Sequence, residues 1–74
     1  MQVRVECYSG YKGDERPVRF QVRERTFIVE ELLDRWYGPE EAFFKVKADD
    51  GNTYILRQSR MDVWTLEAFR RTGQ

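Results

Sequence analysis

The chain of 74 residues has no histidine, one cysteine, two prolines and no net charge, and each shortage closes off a class of function. Without histidine there is no Ser-His or Cys-His nucleophile pair and no histidine-ligated zinc. One thiol, Cys7, makes neither an internal disulfide nor a thiolate metal site. The usual hydrolytic and redox enzymes fall away, so the expectation is a protein that is not an enzyme and uses no cofactor or metal. Thirteen basic and thirteen acidic residues cancel, which removes the net positive field that most non-specific nucleic-acid binders rely on, although a local basic face remains open. No apolar run approaches membrane-spanning length, and Met1-Gln2-Val3-Arg4-Val5 alternates like a strand rather than forming a signal-peptide core. A lone cysteine also fits a reducing compartment. The expected setting is cytoplasmic, with no membrane partner.

What is present is aromatic and alternating. Five Phe, four Tyr and two Trp in a chain with 41% hydrophobic residues favour strands and bulky packing over a helical bundle or disorder. At this length a single core only just outweighs chain entropy, so most large apolar residues must go into packing, and no small-molecule substrate is evident.

Along Arg16-Pro17-Val18-Arg19-Phe20-Gln21-Val22-Arg23 and Thr26-Phe27-Ile28-Val29-Glu30, apolar and charged residues alternate on either side of Glu24-Arg25, the pattern of a hairpin with one dry face. Val18, Phe20 and Val22 should point one way and Arg19, Gln21 and Arg23 the other. A turn at Glu24-Arg25 sets Val22 against Phe27, Phe20 against Val29 and Arg19 against Glu30; a longer loop is the other reading, since neither turn residue favours positive φ. Before this hairpin, Val3, Val5 and Cys7 share one face of a first strand, and Ser9 to Glu15, with Gly10 and Gly13, read as a loop.

After it, Ile28, Leu32, Leu33 and Trp36 fit one face of a helix that Gly38-Pro39 would end, while Thr26-Phe27-Ile28-Val29 is strand-like. A long strand that slips through a bulge at Glu30-Glu31 is the preferred reading, with a helix over roughly 30 to 37 as the alternative. Phe44, Val46 and Ala48 alternate with Lys45, Lys47 and Asp49, and a three-residue loop Asp49-Asp50-Gly51 with Gly51 left-handed sets Val46 opposite Tyr54 and Phe44 opposite Leu56. A last strand places Trp64, Leu66 and Ala68 on one face and Val63, Thr65, Glu67 and Phe69 on the other. The predicted fold class is all-β: a five- or six-stranded antiparallel meander curled into a small SH3-like barrel over residues 1 to 69, with a frayed tail at 70 to 74. The alternative is α+β with the short helix near 30 to 37.

The run Arg16-Pro17, Phe20, Val22-Arg23-Glu24-Arg25, Phe27, Val29, Leu33-Asp34-Arg35-Trp36, Phe44-Lys45-Val46, Asp49-Asp50-Gly51, Tyr54, Leu56-Arg57 and Trp64-Thr65-Leu66-Glu67 resembles a small bacterial domain family of unknown function. Its members, as the resemblance implies, occur as short stand-alone proteins and near translesion-polymerase-like proteins of the Y family. The resemblance covers about residues 16 to 68. It implies a link to DNA repair by association and carries over no functional residue.

The remaining motifs are structural. Cys7 lies on the apolar face with no basic neighbour there, as expected of a buried thiol. Glu30, Glu31, Asp34, Glu40 and Glu41 read as a solvated acidic surface rather than a catalytic pair. Asp49-Asp50-Gly51-Asn52 lacks the carboxylate that a calcium loop needs at its twelfth position, which is Arg60. Gly10-Tyr11-Lys12-Gly13 lacks the ending of a phosphate loop and reads as a flexible loop.

The candidate binding face combines arginines with exposed aromatics: Arg19, Arg23 and Arg25 with Tyr8 and Tyr11, a mixture by which small barrels stack bases and meet phosphates. Against it, Arg19 can pair with Glu30 while the other arginines guard an edge. Trp36, Tyr37 and Phe43 pose a second choice, with Trp36 expected in the core and Phe43 exposed as part of a rim. Two functions follow. The first is a protein-interaction or adaptor module that offers an aromatic rim or strand edge to a larger partner or to its own copy as a homodimer. The alternative is a module binding single-stranded nucleic acid, as an accessory to DNA repair.

Overall fold

The computed structural model describes residues 1–9 and 15–70. Six antiparallel strands, β1 (Gln2–Ser9), β2 (Glu15–Val22), β3 (Arg25–Tyr37), β4 (Glu41–Ala48), β5 (Thr53–Ser59) and β6 (Trp64–Arg70), follow one another round a closed barrel. The all-β barrel is as predicted. Its interior is filled by Val3, Phe20, Phe27, Phe44, Val46, Ala48, Tyr54, Leu56 and Trp64, the inward positions of the alternating segments. Each large side chain in that set contributes roughly 1.5–3 kcal/mol by leaving water.

The β4–β5 hairpin has the predicted register, with Val46 opposite Tyr54, Phe44 opposite Leu56 and Lys45 opposite Ile55. Gly51 N donates to Ala48 O at 2.9 Å and Ala48 N to Asn52 O at 3.0 Å. Gly51, at φ +86°, supplies the left-handed residue that a loop of this length requires.

The β2–β3 hairpin turns one residue earlier than expected. Arg23 and Glu24 form the turn, Arg23 at φ +57°, so Val22 faces Arg25, Phe20 faces Phe27 and Arg19 faces Ile28. The slip is two residues in register, which keeps every side chain on its expected face. It also brings Phe20 onto Phe27, stacked at 5.1 Å with Tyr54 edge-on at 5.0 Å; the packing of this aromatic cluster outweighs the strain of a left-handed arginine.

Bulges account for the other departures. β3 is a single strand of 13 residues with extra residues at Glu30 and Leu33, so the helix over 30 to 37 does not form. The two bulges let β3 leave β2 after Ile28 and continue against β4 from Val29, the bend that closes so small a barrel. In β2, Glu6 faces Arg19 but Cys7 faces Pro17, leaving Val18 as the extra residue. Pro17 is therefore fully buried, and Val18, expected inside, is 38% exposed. Proline has no N–H to lose where β3 has departed. In β6, Leu66 faces Leu56 and Ala68 faces Ile55; the extra Glu67 turns Phe69 onto Tyr54 at 5.1 Å, the face opposite to the expected one. Arg70, assigned above to a frayed tail, pairs with Thr53 at the end of β6, and the rest of that tail, 71–74, lies outside the described residues.

The barrel is closed by little. β1 pairs with β2 from Arg4 to Ser9, but with β6 only through Gln2 and Val3, supplemented by Leu66 N donating to Met1 O at 2.8 Å.

Candidate functional site

The outer face of β1 and β2 carries three of the predicted site residues. Inward Val5–Phe20 alternates with outward Arg4–Gln21 and Glu6–Arg19, and beyond the Val18 bulge Tyr8 faces Arg16. Tyr8 is 56% exposed, and Arg23 follows at the turn. This face is not a free basic surface. Arg19 Nη2 donates to Glu6 Oε1, and that hydrogen bond, with the charge of Glu6, raises the guanidinium above its ordinary pKa. The expected partner, Glu30, is the extra residue of a β3 bulge, and Arg19 stands opposite Ile28 instead. Arg25 leaves the face altogether: it lies inward of the turn with its guanidinium over the Phe27 ring at 4.9 Å. Tyr11 lies outside the described residues.

The aromatic rim is inverted relative to expectation. Trp36, expected in the core, is 38% exposed, and it stacks on Phe43 at 5.4 Å with the rings 9° from parallel. Phe43, expected to be exposed, is thereby half-buried. The pair is outward because the bulges at Glu30 and Leu33 reset the facing of β3, so that Trp36 meets the outward Phe43 and Arg35 the inward Phe44. Arg57 lies opposite Phe43, with Nε enclosed and 3.8 Å from Glu67 Oε2.

The acidic segment is a solvated surface. Glu31 and Asp34 lie opposite Lys47 and Lys45, and Glu40 Oε1 accepts from Arg60 Nη1 at 3.4 Å, an exposed pairing of small energetic weight. Cys7 is half-buried against the core.

Two further features are placed by the structure alone, the first giving a location to the expected strand edge. The first is the side of β1 turned away from β2. From Arg4 to Glu6 it has no ladder partner among the described residues, and the start of β1 borders a groove of about 600 Å³ that runs from Gln21 of β2 and Arg23 of the turn past Val3, Arg4 and Val5 to Asp62, Val63 and Trp64. The far wall is the Ser59–Val63 turn, built from Asp62 N to Ser59 O, Ser59 N to Val63 O and Gln58 Nε2 to Asp62 Oδ1. Asp62 holds φ +62° there, a conformation that Asp tolerates better than most residues. Alternation reveals which face of β1 is dry, but not which of its edges is paired.

The second feature is a recess of about 420 Å³ at the end of the barrel that bears the Arg23-Glu24 turn, lined by Val22, Phe27, Tyr54 and Leu66 with Arg23, Glu24 and Arg25. Its Tyr54 is fixed by a hydrogen bond from Oη to Asp50 Oδ2 at 2.6 Å. Burial, then this bond and the charge of Asp50, push the Tyr54 phenol up to about 12, with the Arg25 charge acting the other way.

The chain matches no protein-family model, no curated protein and no solved structure, so the functional reading rests on these surfaces.

Proposed function

We propose that the protein is a small non-enzymatic binding module that recognises a protein partner by accepting an extended segment along the outer edge of β1. The observation that supports this is the edge itself. From Arg4 to Glu6 the strand has no second ladder neighbour among the described residues, and alternate N–H and C=O groups of such a strand point away from β2. Unpaired edges are templates for strand addition, in which main-chain hydrogen bonds supply affinity and flanking pockets supply specificity. The groove beside Val3, Val5 and Trp64 provides such a pocket. Net neutrality and the Glu6–Arg19 pairing favour a protein partner over single-stranded nucleic acid, whose binding depends on uncompensated positive charge.

The test is selection of peptides from a random displayed library on the intact chain, followed by amide-resolved NMR titration with a selected peptide and, separately, with a short single-stranded DNA. Peptide-induced shifts along Arg4–Glu6 and Asp62–Trp64, with new exchange protection in β1, are expected. DNA-induced shifts on Tyr8, Arg19 and Arg23 that fade as salt rises, with no peptide effect on β1, contradict the proposal and restore the nucleic-acid reading.

A further inference from the structure

The geometry points to a second, independent site: the recess at the barrel end binds a small apolar monocarboxylate, an aromatic or branched hydrocarbon group bearing one carboxylate. The recess volume, about 420 Å³, lies in the range of small-ligand sites, which combine apolar walls with a few placed polar groups. The walls here are Val22, Phe27, Tyr54 and Leu66. The only side-chain polar atom on them, Tyr54 Oη, is already engaged by Asp50.

The polar groups are gathered at the rim, on one two-residue turn and the residue after it. The Arg25 guanidinium carbon lies 4.9 Å from the centre of the Phe27 ring, a cation–π contact that orders the guanidinium and leaves its N–H donors for a second partner. Arg23, which also borders the β1 groove, stands at the start of the turn in a left-handed conformation. Such strained non-glycine residues concentrate at ligand clamps as well as at tight turns. Neither arginine has a carboxylate partner among the described residues.

Charge decides the ligand class. Two guanidiniums and the single carboxylate of Glu24 give the lining one net positive charge, which matches one carboxylate and disfavours a phosphate dianion. A carboxylate also suits the fork of Arg25, which can meet both oxygens at once. The apolar body would lie against the half-buried Val22 and Leu66 and reach the rims of Phe27 and Tyr54, which are otherwise buried in the core.

The experiment is an NMR titration of the full chain with naphthalene-2-carboxylate and, in parallel, with uncharged naphthalene-2-carboxamide. Saturable shifts on Val22, Phe27, Tyr54, Leu66 and the Arg25 Nε–H are expected, with the acid binding about tenfold more tightly than the amide, the scale of one charge-assisted hydrogen bond. Arg25→Gln should remove that preference, weakening the acid by more than the amide so that the two bind alike. Equal affinity for acid and amide, shifts centred elsewhere, or no saturation at millimolar concentration each overturn the site. The outcome is separate from the peptide experiment, because neither probe needs the β1 edge.

Discussion

Tyr54 Oη donates to Asp50 Oδ2 across 2.6 Å, tying a ring of the central aromatic cluster to the tip of the β4–β5 loop. Asp50 also accepts from Asn52 N and Asn52 Nδ2, both at 3.0 Å. One carboxylate thus organises the loop and anchors it to the core. Removing the hydroxyl in Tyr54→Phe keeps the ring and loses this bond, and a cost of about 1 kcal/mol is expected, below the ~1.5–3 kcal/mol of hydrogen bonds to charged groups because Asp50 is itself exposed. Urea unfolding followed by Trp fluorescence measures it.

The same bond predicts how stability varies with pH. The Tyr54 phenol is raised to about 12, so the folded state holds this proton more tightly than the unfolded chain, whose tyrosines titrate near ~10. The stabilisation is complete below pH ~10 and is lost as pH rises through 12. At Asp50, burial works to raise the pKa, but the hydrogen bonds from Tyr54 and Asn52 outweigh it and the group ends below its ordinary value. That contribution is present above pH ~4 and is lost as pH falls through the lower folded value. The stability gap between the native chain and Tyr54→Phe should therefore close between pH 10 and 12. The gap to Asp50→Asn should close in acid, below pH ~4.

Two turns should respond to substitution with opposite signs. Gly51 has open space where a Cβ would stand, but φ is +86°, so Gly51→Ala is strained by backbone conformation alone and should cost about 1–2 kcal/mol. Arg23 already bears such strain at φ +57°. Arg23→Asn, which tolerates that region, should stabilise by up to about 1 kcal/mol. Thermal unfolding of both variants checks the pair of signs.

Leu56 is fully buried at the centre of the barrel, while Met61 at the β5–β6 turn is 80% exposed. Leu56→Ala should cost ~2–5 kcal/mol, a large part of the stability available to a domain of this size. Met61→Ala should change stability by less than about 0.5 kcal/mol. Circular dichroism melts distinguish them directly.

The legible part of the fold was wherever alternation ran unbroken. Phe44, Val46 and Ala48 with the Asp49-Asp50-Gly51 loop determine both face and register, because a single glycine marks the left-handed residue. Where a bulge intervenes, parity changes without a compositional mark. In β3 the bulges at Glu30 and Leu33 bring Val29, Leu32 and Arg35 to the inner side. The helical look comes instead from Ile28, Leu32, Leu33 and Trp36, of which only Leu32 packs against the core while the other three are exposed. The same resets put Trp36 outside and Phe69 against Tyr54. The arginine face was half legible: Tyr8, Arg19 and Arg23 do share a surface, but the partner of Arg19 comes from β1, a neighbour that pairing within the hairpin cannot reveal. The unpaired edge of β1 and the barrel-end recess depend on how the barrel closes, a property of the whole chain.

The central claim is that β1 offers an open edge, and backbone amide hydrogen exchange by NMR tests it most directly. In dilute solution, amides along Arg4–Glu6 should alternate, those bonded to β2 exchanging slowly and those directed at the open edge exchanging fast, while β4 and β5 are protected throughout. Uniformly slow exchange along Arg4–Glu6 at low protein concentration would show that edge to be covered already and would contradict the account.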